Sequence, residues 1–132
     1  MVVVNLAGIK TTLEVIPDGV YPARMTKCAR GKSKANNDKY SLEFTFEQDA
    51  GEEISGRKAY VEVAVTDNTL WRVKRTLLDL GLEPDSLEGP VNLSEAFEAC
   101  LGGDATIRVG HREYNGQERN DFFVVSPDSW TA

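Results

Sequence analysis

GVYPARMTKCARGKSKANNDKYSLEFTFE, residues 19–47, is the stretch on which the fold turns. Its second half alternates cleanly, with Tyr40, Leu42, Phe44 and Phe46 on one face and Ser41, Glu43, Thr45 and Glu47 on the other. Successive strand side chains point to opposite faces, so the pattern predicts a half-buried strand over residues 39–47. Ahead of it, Tyr21, Ala23 and Met25 alternate with Pro22, Arg24 and Thr26. That predicts a strand over residues 20–29, with Pro22 near its beginning, where a missing N–H donor is tolerated. Residues 30–38, rich in Gly, Ser, Lys and Asn, read as the loop between the two strands, and Asn36 and Asn37 suit a tight bend.

The same stretch is electrostatically unlike the rest of the chain. Residues 24–39 carry Arg24, Lys27, Arg30, Lys32, Lys34 and Lys39 against a single acid, Asp38, in a protein of net charge −6. A local excess of this kind marks where a polyanion sits; a solvated loop produces the same run. The acidic balance of the whole argues against general wrapping of duplex DNA, whose non-specific affinity comes from neutralised phosphates. A local basic groove is compatible with it.

Working outward, residues 57–65 alternate Ala59, Val61, Val63 and Val65 with Lys58, Tyr60, Glu62 and Ala64, a third strand. Thr66 or Asp67 then caps a helix to about Leu80, with Leu70, Val73, Leu77 and Leu80 at helical spacing and Gly81 as its stop. On this reading Trp71 belongs to the core, and Arg72, Lys74 and Arg75 are solvated helix charges. Asn92 and Glu95 resemble a capping box that opens a short helix ending near Gly102 and Gly103. From Asp79 to Asp104 there are seven acids and no Lys or Arg, so that segment is not an anion site. Residues 105–113 and 117–126 form a final hairpin around Asn115-Gly116, the dipeptide that a two-residue turn prefers. Residues 2–16 read as an arm or one or two short strands, closed by the turn Pro17-Asp18-Gly19.

At 132 residues, 41% hydrophobic and 27% charged, the chain is expected to be one globular domain. Its divisions are residues 1–16 as an N-terminal arm or extra strand, 17–126 as the folded domain and 127–132, with Trp130, as a short C-terminal tail. Cys28 and Cys100 lie 72 positions apart without Cys-x-x-Cys or His pairing, which suggests neither a zinc site nor a disulfide framework and fits a reducing cytosol. The start of the chain lacks a basic region and a long apolar core, so no signal peptide is expected, and no stretch is long and apolar enough to span a membrane.

Three strands, a helical insertion and a hairpin, in that order, are the elements of an OB-fold, a mainly β, five-stranded Greek-key barrel whose strand faces and hairpin loops bind oligonucleotides. The residues also carry a resemblance. Gly19-Val20-Tyr21, Ser33-Lys34-Ala35-Asn36-Asn37 with the apolar strand after it, Gly56-Arg57, the helix end from Leu77 to Gly81, and Tyr114-Asn115-Gly116-Gln117-Glu118-Arg119-Asn120 resemble a family of small phage-encoded proteins, over about residues 17–125. The resemblance implies an OB-fold that binds single-stranded DNA in phage DNA replication and recombination, in the cytoplasm of an infected bacterial host, as a monomer or homodimer that works with phage replication or recombination proteins. One departure is plain: many replication single-strand binders end in a long acidic tail with an apolar tip, and here residues 126–132 hold only Asp128. Recruitment through such a tail is not expected.

A single-strand site needs cations that follow the phosphates and flat side chains on which unstacked bases lie. Lys27, Arg30, Lys32 and Lys34 supply the first, joined by Arg57 and Lys58 at the third strand and by Arg108, Arg112 and Arg119 in the last hairpin. Tyr60 faces away from the valines of its strand, available for stacking or for cover by the arm or a helix, and Tyr114 either meets a ligand or braces its turn. Alternation puts His111 with Ile107 and Val109 on the apolar face, outside the site. A lone histidine, unpaired cysteines and no phosphate-binding glycine loop leave no catalytic pair, no metal site and no cofactor to argue from. Two other readings stay open, a protein-interaction module using its acidic side and a metal-dependent nuclease drawing on some of the 21 acids.

Overall fold

The computed structural model describes residues 1–7 and 15–126; the side chain of Tyr114, residues 8–14 and the tail at 127–132 lie outside that description. The strands are β1 (Gly19–Lys32), β2 (Asp38–Phe46), β3 (Lys58–Ala64), β4 (Asp104–Tyr114) and β5 (Gln117–Val125). The helices α1 (Leu70–Asp79) and α2 (Leu93–Glu98) stand between β3 and β4. One antiparallel sheet runs in the order β3-β2-β1-β4-β5. Its two edges, β3 and β5, approach each other, and α1 packs against both. Read around the ring the order is 1-2-3-5-4, that of an OB-fold-like barrel whose β3–β5 seam is spanned by a helix rather than by a hydrogen-bonded ladder.

β1 is longer than its sequence pattern predicts because its two ends serve different neighbours. Gly19–Arg24 pair with β4, and Ala23–Lys32 pair with β2. The register slips between Met25 and Lys27, so Thr26 is the extra residue of a bulge that bends the strand from one half of the barrel into the other. At the bend, Met25 is held by Gly102 and Gly103: its N–H donates to the Gly103 carbonyl at 3.1 Å, and its carbonyl accepts the Gly102 N–H at 2.8 Å. The predicted loop at 30–38 shrinks accordingly. Arg30, Gly31 and Lys32 stay in the ladder opposite Tyr40, Lys39 and Asp38, and the chain turns only over residues 33–37, with Asn36 at φ 64°.

The alternation of β2 holds: Tyr40, Leu42, Phe44 and Phe46 are all buried. They meet Met25, Leu77, Phe97, Ile107 and Val109 in the core. The Tyr40 and Phe97 rings lie 4.8 Å apart, and the Tyr40 hydroxyl shares a 2.8 Å hydrogen bond with Ser94. α1 ends as expected at Gly81, whose φ of 102° lets its N–H reach the Leu78 carbonyl while Leu82 N–H reaches that of Leu77. Asn92 caps α2 by accepting the Glu95 N–H at 3.2 Å. Asn115 and Gly116, at φ 50° and 79°, form the tight turn between β4 and β5. Cys28 and Cys100 are free thiols.

Two expectations change at the amino-terminal side. Residues 1–7 form no strand, and a strand within 8–14 falls outside the described residues. Ile16, read as part of the arm, is a core residue at 1% exposure. Asn120 of β5 holds it there: its Oδ1 accepts the Ile16 N–H at 2.7 Å, and its Nδ2 donates to the Ile16 and Gly110 carbonyls at 2.9 and 3.1 Å. Replacing Asn120 by Ala strips three part-buried backbone groups of their partner. The expected loss in a urea or guanidinium titration is about 1–3 kcal/mol, without change of fold.

Candidate nucleic-acid interface

The outer face of β1, β2 and β3 is assembled by register. Arg24, Thr45 and Lys58 form one cross-strand row, and Lys27, Glu43 and Tyr60 the next. Tyr60 is 63% exposed, and among the described residues neither a helix nor residues 1–7 of the arm cover it. Glu43 organises the row: the Thr26 hydroxyl donates to it at 2.8 Å and the Tyr60 hydroxyl at 3.3 Å. The Thr26 bond, followed by the charges of Lys58 and Lys27, holds the Glu43 carboxyl below its ordinary value. Lys58 donates to Thr45 at 2.8 Å. The face is thus a polar network with two lysines and one flat ring turned to solvent.

The far end of the β1–β2 hairpin carries Arg30, Lys32 and Lys34, but not as three free cations. Arg30 and Lys32 both bind one Asp38 oxygen, at 3.2 and 2.8 Å. Those bonds, Lys32 first, hold the Asp38 carboxyl below its usual range. Lys34 is exposed in the turn, and Arg57 is half-buried at the entry to β3.

A concavity of about 610 Å³ opens along the β3–β5 seam. It brings together three residues that the sequence singles out separately, Tyr60, Arg108 and Arg112, with α1 as one wall. Arg112 is bound to Asp121 at 3.2 Å, and the Arg108 guanidinium lies 4.9 Å over the Phe123 ring. Arg119 stands opposite Arg112 in the β4–β5 ladder.

The expectation for Trp71 is overturned. It is 65% exposed and lines the seam instead of the core. The buried residues of α1 are Val73, Thr76, Leu77 and Asp79, and Trp71 lies two residues before Val73, about 200° around the helix. Leu70, also expected in the core, is exposed at the start of α1. Of the helix cations read as solvated, Lys74 pairs with Glu88 at 3.0 Å, while Arg72 lies 5.3 Å over Trp71 and Arg75 binds Asp79 at 3.3 Å, both lining the seam. Phe123 carried no assignment, although alternation from Phe122 and Val124, which pack on the core, would have turned it outward.

His111 is also corrected. Past Gly110 the strand has outrun the core, so the ring is exposed and its Nδ1 lies 2.7 Å from Asp18. Among the described residues no group of three or more His, Cys, Asp or Glu could hold a metal ion, and no helix is long and apolar enough to cross a membrane.

Fold and surface together define a small OB-fold-like barrel with cations and exposed aromatics on its outer face and along its seam. No protein-family model and no curated protein matches the chain. Among solved structures, yeast RPA bound to ssDNA is similar over 91% of this chain and 82% of that chain, at 13% identity and a TM-score of 0.31.

The bond to Asp18, reinforced by its charge and that of Glu118, raises the His111 pKa above the ordinary 6.5. A raised folded-state value means that the pair's stabilisation is complete below 6.5 and is lost as pH rises through the raised value. Asp18→Asn should return the His111 titration, followed by NMR of the ring protons, toward 6.5, and should destabilise the fold at acid pH but not at alkaline pH.

Proposed function

We propose that the protein binds single-stranded DNA without sequence preference and without catalysis, in phage replication or recombination in the cytoplasm of an infected bacterial host. The observation that carries the binding is the outer β1–β2–β3 face, where exposed Tyr60 stands in the same cross-strand row as Lys27 and two residues along β3 from Lys58. Lysines there follow the phosphates, and the tyrosine offers a base a flat surface once it leaves Glu43. The strand 2–3 face is the surface through which OB-folds bind oligonucleotides. The phage context rests on the sequence resemblance. The protein acts as a monomer or homodimer, with phage replication or recombination proteins as further partners.

Fluorescence anisotropy of a labelled oligo-dT, beside the matching duplex and over a salt series, tests this reading. Single strands should bind and duplex much less, with log K falling against log salt by roughly 0.7 per phosphate contacted. Absence of oligo-dT binding at low salt would sink the proposal in favour of a protein partner; magnesium-dependent degradation that stops on chelation would reassign the chain as a nuclease.

Because Asp38 already occupies Arg30 and Lys32, phosphate must compete with it. Asp38→Asn should therefore raise oligo-dT affinity a few-fold, whereas Lys32 and Lys34 replaced together by Glu should weaken it without altering the thermal midpoint appreciably. Unchanged affinity in both variants removes this hairpin end from the site.

A further inference from the structure

The outer β-face leaves the seam unused, yet the seam is where large aromatics are most exposed. Trp71 on α1 and Phe123 on β5 both line it, at 65% and 45% exposure, and Tyr60 lines it from β3. Exposed rings gathered in one concavity mark an interaction surface, since the same side chains scattered singly would need no explanation. The guanidinium groups decide what kind. Arg72 lies over Trp71 at 5.3 Å and Arg108 over Phe123 at 4.9 Å, both within cation–π range. With Arg75 and Arg112 they make four guanidiniums along the seam against three carboxylates, Glu62, Asp79 and Asp121, in a protein of net charge −6.

Flat rings each paired with a guanidinium suit a ligand that alternates flat groups with anions. An unpaired polynucleotide has that repeat, because every base has a face to stack and every step has a phosphate. A duplex does not, since its bases are already stacked inside.

We propose that the β3–β5 seam is a second nucleotide-binding track, in which Trp71 and Phe123 stack unpaired bases and Arg72 and Arg108 move from the rings to the neighbouring phosphates. The inference rests on the single-strand reading above and adds to it a site on the opposite side of Tyr60 from the lysine face. Tyr60 belongs to both surfaces, so one strand can pass from the lysine face into the seam without leaving protein contact.

The test uses the full chain carrying Trp130→Phe, which leaves Trp71 as its one tryptophan. Its emission is followed during titration with an oligo-dT of about 16 nucleotides, an abasic oligomer of equal length, and polyglutamate. Quenching by oligo-dT and not by the abasic chain is expected. Trp71→Ala and Phe123→Ala should each weaken oligo-dT binding roughly tenfold, with circular dichroism and thermal midpoint close to wild type, as both rings lie outside the core. Oligo-dT binding with unmoved Trp71 emission and unaffected variants overturns the seam track while leaving the β-face reading intact. Equal quenching by the abasic oligomer overturns base stacking. A response to polyglutamate alone assigns the seam to an acidic protein partner and overturns the proposal. No oligo-dT binding by any form overturns the single-strand reading and the track with it.

Discussion

The divided pairing of β1 is the constraint on which the rest of the structure depends. A strand that pairs with β4 at one end and with β2 at the other must bend, and the bulge at Thr26 supplies the bend by adding one residue to β1 with none opposite. The backbone hydrogen bonds between Met25 and the Gly102–Gly103 segment keep that bend from leaving polar groups unpaired. Everything downstream follows from the direction in which β1 leaves the bulge. β2 and β3 form one wall, β4 and β5 the other, and their outer edges come together where α1 can cover the space between them.

The bulge also shapes the surface. Thr26 projects its hydroxyl to Glu43, which fixes the one carboxylate in the middle of the lysine face and through it the Tyr60 hydroxyl. Acids placed beside basic residues recur on this protein: Asp38 with Arg30 and Lys32, Asp121 with Arg112, Asp79 with Arg75. The exposed pairs among them contribute little to stability and are screened by salt, whereas the Asp79 carboxylate is buried beneath Arg75. The consequence of these pairings is that the basic surface of this acidic protein is internally compensated.

The seam illustrates how an open barrel edge is managed. An unpaired strand edge invites aggregation, and covering it with a helix or loop is one remedy. Here α1 spans β3 and β5, burying Val73 and Leu77 on one side and turning Trp71 to solvent on another. Closing the seam and exposing the ring are therefore one event, which is why the aromatic cluster lies where the ladder is missing.

The amino-acid pattern alone carried the existence and order of the five strands, the buried face of β2 and two of the turns. Alternation is a local property of extended chain, so residues 39–47 declared their buried face directly, and Gly81 and Asn115-Gly116 were legible because positive φ is demanded at the residue itself. The length of β1 was not legible, since Arg30 to Lys32 are held in a strand by partners in β2 that their own pattern does not announce. Nor was the seam. Trp71 and Arg72 are separated from Arg108 and Phe123 by more than thirty residues of chain, and their meeting depends on how far the sheet curls before its edges face each other. Trp71 was misplaced by its adjacency to Leu70 and not by the helical period, which picks the covered stripe of Val73 and Leu77 and leaves Trp71 off it; whether a residue off the stripe meets solvent or a neighbouring element is not written in the period. Tertiary structure decided that, through packing of Val73 and Leu77 against the barrel, and with it decided which aromatic rings of α1 and β5 are turned to solvent.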